Sequence, residues 1–375
     1  MGNIKQVQKA GDGSSVAQIG MINNYGIDEK RVREICDEKI QYAIHDLTSE
    51  ACTKATQKVY DFITLLLAKI SERKMDLSAF AEPSFQRELI KAQTFSAVSD
   101  RKTDVEMLSE LLLARMNGKL KRKTKTGISR AMEVVAELDD DELLGLTVVF
   151  LVLSTSPTAQ LGAESCLGLD ALERVFSKFP LDELPNVTAW IENLNILDAV
   201  IISPFGGFSK FHDILESKMS GYVCVGIGKD APELLKAKSL LRTALLSDSF
   251  LCENEFLEGY YRLPVVNISD VRTLSLHKMF QDSSTGKIIN IPVPMTEDVI
   301  RTLSDISALY NKDAKLMSEV KQKFEAKLKA YPTLYKVQQW FDNLKMSFNI
   351  TKVGKALAYV NGKRYAPELP ELSLE

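Results

Sequence analysis

Apolar residues recur at three- and four-residue spacing through most of the chain. Val32, Cys36, Ile40, Ala43 and Leu47 share one face of a helix. Asp28 suits the N-cap, and Glu29 sits in the first turn, where the helix dipole favours a negative charge. The spacing predicts one long helical tract to about Lys74, whose second part, VYDFITLLLAKI, is apolar nearly all round and so belongs between other helices. Pro83 then opens PSFQRELIKAQTF, followed by DVEMLSELLLARM, GISRAMEVVAEL and DELLGLTVVFLVL. Mostly separated by Gly, Pro, Ser or charged breaks, these segments form the pattern of a multi-helix bundle with short connections. Ala163 to Phe179 and Val187 to Ile201 read as further helices, and alternating βαβ order is missing.

The texture changes at Ser203, where Gly206, Gly207, Gly221, Gly226 and Gly228 cluster around one β-prone run, YVCVGI. LLKAKSLLRTALLS returns to helix, and RLPVVNI and KIINIPV read as brief strands or extended connectors interrupted by proline. TEDVIRTLSDISALY and KLMSEVKQKFEAKLKAY read as helices, and the last unit is a helix, a short strand MSFNI, a capping Thr351 and an amphipathic helix. That helix-strand-helix order fits a fragment of a winged-helix-like subdomain, although it has one strand and no clear basic recognition helix. The expected fold is mainly α: a multi-helix bundle with a short N-terminal β segment and a small α+β C-terminal part. Its expected divisions are 1–27, 28–202, 203–330 and 331–375.

The leader, QVQKAGDGSSVAQIGMI, departs from this helical pattern. Apolar and small residues alternate loosely with polar ones around Asp12-Gly13, the chemistry of a tight hairpin turn. Two isolated strands are marginal in water and leave both edges unpaired, so a hairpin here needs a partner. Another copy of the chain can supply it, with Val7, Val16, Ile19, Met21 and Ile22 burying between sheets and Gln8 and Gln18 stacking as amide ladders. A disordered terminus is the competing reading.

Composition then narrows the partners. The net charge of −3 and pI near 5.9 provide no global attraction to nucleic acid or an anionic membrane. The five cysteines, Cys36, Cys52, Cys166, Cys224 and Cys252, lie scattered without a CxxC pair, so neither a disulfide framework nor a zinc site is expected and a reducing cytoplasm fits best. No secretory signal is expected at the start of the sequence. The most apolar window, Leu143 to Leu153, is eleven residues, well short of the roughly 20 a spanning helix needs.

Candidate chemistry is sparse. GIGKD at Gly226 lacks the first glycine of a P-loop and the Ser or Thr after its lysine. Three histidines, His45, His212 and His277, do not suggest a multi-histidine centre, so neither metal nor cofactor is predicted. Arg272 and His277 fit the bare RxxxxH spacing of metal-independent ribonucleases, in which a histidine acts on the ribose or leaving group and an arginine stabilises the phosphorane. The extended context of VVNISDV argues instead for a surface turn. Lys119, Lys121, Arg122, Lys123 and Lys125 form a basic run that would meet phosphates or simply face water; no aromatic residue interleaves it, so nucleic acid is not the expected partner.

The order of these features resembles an uncharacterised family of bacterial proteins in which a QxQxxGDxS-like leader precedes a helical body. Matching stretches are QVQKAGDGSSVAQIG, NNYGIDEKRVREI, EPSFQRELIKAQ, DELLGLTVVFLVLST and the closing W-x5-M-x-FNITKVGKALAYVNGKR from Trp340, with Ser203 to Leu263 the least similar part. The resemblance brings no assigned enzymatic activity and no catalytic residues to transfer. Similar leaders on proteins of bacterial defence and mobile islands imply an antiviral setting by association. The sequence therefore predicts a cytoplasmic, self-assembling protein that acts by binding, with itself and a protein encoded nearby as partners. A ribonuclease and a nucleic-acid-binding regulator are the alternatives.

Overall fold

The computed structural model of the chain describes residues 27–45, 49–116, 120–156, 167–204, 206–267, 269, 276–281 and 288–370. The leader residues Val7, Gln8, Val16, Gln18, Ile19, Met21 and Ile22, and with them Lys119 and Arg272, lie outside the described residues. The fold is mainly α, with a few short strands, as the periodicity predicts. It separates into two compact units, one ending at Ala97 and one beginning at Val98, a boundary that none of the predicted divisions marks.

The first unit contains α1 (Glu29–Ala43), α2 (Ser49–Glu72) and α3 (Pro83–Val98). Asp28 caps α1, its carboxylate accepting from the Arg31 N–H at 2.8 Å. The tract predicted as one helix to Lys74 is two: α1 ends at Ala43 and α2 begins at Ser49. Val32, Cys36 and Ile40 of α1 are buried, as their spacing requires. So are Phe62 and Leu66 of α2 and Leu89 of α3. Gln93 of α3 reaches 3.1 Å to the Cys36 carbonyl, and Phe80 meets Phe85 edge-on at 4.9 Å between ring centres.

The second unit begins with α4 (Lys102–Met116), α5 (Arg122–Val134), α6 (Asp140–Ser154), α7 (Leu167–Phe176) and α8 (Ala189–Ile196). Beyond them come β1 (Val200–Ile202), α9 (Phe211–Lys218), β2 (Ile227–Gly228), α10 (Pro232–Thr243), β3 (Cys252–Glu253), β4 (Tyr260–Arg262), β5 (Leu276–Gln281) and β6 (Ile288–Val293). It closes with α11 (Glu297–Ala308), α12 (Ala314–Lys329), α13 (Pro332–Asp342), β7 (Phe348–Ile350) and α14 (Lys352–Tyr365). Three predictions shift. The helix expected over Val187 to Ile201 ends at Ile196, and its last residues become β1. α9 carries no strong periodicity over its eight residues and went unpredicted. YVCVGI contributes only its last residue, Ile227, to a strand, because Gly226 sits at φ 79° with its Cα so close to Tyr261 that a Cβ would lie 2.4 Å from the Tyr261 carbonyl.

α14 is the centre of the second unit. It packs on α4, α5 and α6, and β7 in front of it pairs antiparallel with β1, Val200 facing Ile350 and Ile202 facing Phe348. Thr351 caps α14 by accepting from the Val353 and Gly354 N–H groups. Val353, Ala356, Leu357, Ala358, Val360 and Asn361 are buried, and no residue of the helix is fully exposed. A winged-helix recognition helix needs an open face, and α14 keeps only a half-buried stripe through Lys352, Lys355, Tyr359 and Lys363. Inside the packing, Asn361 donates to the Thr147 hydroxyl at 2.9 Å, while Arg364 reaches Glu106 at 2.6 Å and the Asn361 side-chain oxygen at 2.7 Å.

β2, β4 and β3 form a small antiparallel sheet in that order. It packs against α10 and α11 around Ile227, Leu234, Leu241, Leu263, Leu303 and Ile306. β5 and β6 form a hairpin that pairs Leu276 with Val293 and Gln281 with Ile288. Among the described residues no helix is long and apolar enough to cross a membrane.

Candidate functional site

A cleft of about 920 Å³ lies in the second unit between the Leu181–Thr188 segment, the C-terminal half of α13 and the residue before α9. Its floor follows from a close approach between helices. Gly145 of α6 has no side chain, and a Cβ there would come within 3.0 Å of Pro185 and 3.2 Å of the Trp190 ring. Trp190 fills that space, only 3% exposed, and Trp340 of α13 stacks on it with ring centres 6.0 Å apart and planes inclined by 30°. Phe348 of β7 meets Trp190 edge-on at 5.9 Å. Trp340 is half-buried, and its indole N–H is fixed by donating to the Pro185 carbonyl at 2.9 Å, which orients the ring in the cleft wall. These are the two tryptophans of the whole sequence.

The rim is cationic with internal counter-charges. Lys336 of α13 pairs with Asp182 across the cleft. Lys210 donates to the Asp342 carbonyl at 3.0 Å, while the Asp342 carboxylate accepts the Phe211 N–H at 2.7 Å and so caps α9. Lys345, exposed beyond the end of α13, makes no ion pair or hydrogen bond among the described residues. The cleft therefore offers an aromatic wall, one uncommitted ammonium and two more held by exchangeable contacts. It holds no nucleophile beside a base.

Elsewhere the structure separates the predicted candidates. His277 lies in β5 opposite Pro292, on a strand and not on the helix pair that the RxxxxH ribonuclease pattern requires. Lys121 is the N-cap of α5, and Arg122 and Lys123 are exposed in its first turn, with Lys125 half-buried one turn on. The run read as a connector is thus the start of a helix, five residues before the predicted start at Gly127. Its cations face the positive end of the helix dipole. Burial pushes the thiols of Cys36 and Cys224 up to about 12, which makes these two poor nucleophiles. Cys36, Cys52, Cys224 and Cys252 form no disulfide among the described residues.

A second cavity, about 500 Å³, lies at the N-terminus of α10 beside Gly228 and Lys229. Asp230, Glu233 and Glu258 also line it and outnumber the lysine, so it repels a phosphate that a P-loop would hold.

The cleft residues escaped sequence reasoning because Trp190 and Trp340 stand far apart in the chain and share no local motif. The scarcity of tryptophan was the one signal available. A protein-family model described as “:-like” matches the chain over residues 26–374. No curated protein and no solved structure matches.

Proposed function

The chain belongs to that family over nearly its whole length, and from this premise we propose that it acts by binding, with the Trp190–Trp340 cleft receiving an anionic ligand that presents a flat apolar face. The observation that carries the reading is the convergence of both tryptophans on one cleft rimmed by Lys210, Lys336 and Lys345. The half-buried face of Trp340 suits stacking, and an anion can take the open ammonium of Lys345 while competing for the other two. If leaders assemble copies of the chain as their alternation predicts, each assembly would present several clefts and engage a repeated ligand multivalently. The leader's resemblance to those of bacterial defence proteins sets this proposal in an antiviral context.

The test is direct, because both fluorophores line the site. Titrating the full chain with nucleoside monophosphates and with aromatic carboxylates should shift or quench tryptophan emission with a saturable curve that calorimetry reproduces. Trp340→Ala and Lys345→Glu should each weaken binding by about tenfold, the order expected for a stacking contact or a charge pair. Calorimetric binding unchanged in both variants would remove the cleft from the reading.

A further inference from the structure

α9 carries a second constellation that the cleft does not use. His212, Asp213 and Glu216 stand at positions i, i+1 and i+4 of this helix, and one donor atom from each lies within 4.8 Å of the others. The imidazole Nε2 is 3.5 Å from the Asp213 carboxylate, outside good hydrogen-bond geometry. Nδ1 is buried and has no hydrogen-bond partner among the described residues. A histidine kept for packing normally has at least one ring nitrogen satisfied, because a buried unpaired polar atom costs about 1–3 kcal/mol. His212 has neither nitrogen committed to a well-formed hydrogen bond within the protein. Glu216 adds a carboxylate whose side chain is only 9% exposed. Among the described residues its ion-pair partner is Lys321 of α12, at 2.6 Å, a side chain half in water.

We propose that His212, Asp213 and Glu216 form a site for a divalent transition-metal ion of the zinc or cobalt type. One imidazole and two carboxylates, with water completing the shell, suit such ions better than calcium or magnesium, which take oxygen donors alone. The sequence argument against a metal concerned multi-histidine centres; a mixed His/Asp/Glu set on one helix lies outside it. Without the ion, the Lys321 ammonium neutralises Glu216, and with the ion it swings out along its exposed stem. Glu325 of α12 lies within electrostatic reach of His212 and is paired with Lys329 at 3.0 Å, so a third carboxylate stands near the site on the neighbouring helix. An ion held here would tie α9 to α12.

The experiment uses the full chain without a histidine tag, dialysed against chelator and titrated calorimetrically with Zn²⁺ and separately with Co²⁺. One ion should bind per chain, and the cobalt form should show no thiolate charge-transfer absorption. His212→Ala and Asp213→Asn, the latter at an exposed position, should each weaken binding by about tenfold or more. Lys321→Ala should tighten it, an effect that a purely structural role for these residues does not predict. Circular dichroism checks that each variant is folded. No binding to the parent chain, a thiolate band with cobalt, or binding that His212→Ala and Asp213→Asn leave unchanged would each overturn the proposal.

Discussion

Replacing Gly354 by alanine should unfold the second unit far more readily, although alanine is the better helix former. Gly354 lies in the first turn of α14, against β1. A Cβ there would sit 2.0 Å from the Ala199 carbonyl oxygen and 2.9 Å from the Ile350 side chain, where about 3.0 Å is the closest that real Cβ atoms come. The obstacle is backbone, so α14 or the Ala199 segment must retreat by about 1 Å, which is overpacking that costs about 1–3 kcal/mol. The retreat also strains the Thr351 N–H and hydroxyl contacts to the Ala199 carbonyl, both 3.0 Å, at about 0.5–1.5 kcal/mol per hydrogen bond. Alanine returns about 1 kcal/mol of helix propensity. The net loss is roughly 1–5 kcal/mol, with the middle of that range expected. Gly362, in the same helix, provides the control. Its nearest obstacle is the Leu369 methyl at 3.1 Å, the flexible end of a side chain, so propensity wins and Gly362→Ala should stabilise by about 0.5–1 kcal/mol. Urea unfolding followed by tryptophan emission reads this unit alone, since Trp190 and Trp340 both lie beyond Val98. Gly354→Ala should lower the midpoint by roughly 1 M. Midpoints that move together for the two variants, or a Gly354→Ala midpoint equal to the parent's, would refute the packing argument.

Three further outcomes are expected. Light scattering of the full chain against a version starting at Asp28 should show loss of the oligomer on truncation; an unchanged particle mass would sink assembly through the leader. Lys218 donates to the Val152 and Thr155 carbonyls at the end of α6, at 2.7 and 2.5 Å, yet burial brings its ammonium down to about 8 from an ordinary 10.5. Between those values the unfolded chain holds a proton that the folded chain has lost, so the stability of the parent relative to Lys218→Met should rise with pH from about 8 to 10.5, by up to about 3 kcal/mol; a flat difference across that window would contradict it. Replacing Arg122 and Lys123 with glutamine should stabilise α5 by about 0.3–1 kcal/mol per residue through the dipole, and it should reduce nucleic-acid affinity only if the basic run meets phosphates, which filter binding at two salt concentrations decides.

What the sequence disclosed depended on whether the physics was local. The Asp28 cap, the α1 face through Val32, Cys36 and Ile40, and the buried middle of α6 from Leu143 to Val152 could all be read, because each is written within a few residues. The α1–α2 break could not, since LTSE carries neither proline nor glycine to mark it. Gly127 looked like a helix start, yet it sits inside α5, where a Cβ would meet Lys352 at 2.9 Å. Its absence of side chain serves a helix crossing and not a turn. The cleft and the α9 donors were invisible for a related reason: tertiary packing joins Trp190 to Trp340 and sets α9 against α12. α14 looked like one side of an appended unit because its apolar face was counted on one side only, and the burial of Asn361 and Gly362 closes the other.

The bond between Asn361 and Thr147 spans 214 residues of sequence, which has a consequence for how the chain is made. At roughly 5–20 residues per second, α6 leaves the ribosome some 10–40 s before α14 can cover it. Through that interval LLGLTVVFLVL is an apolar segment without its principal neighbour. The nascent chain is then at its most aggregation-prone, and a chaperone that shields α6 during synthesis should raise the soluble yield more than any change in the finished fold.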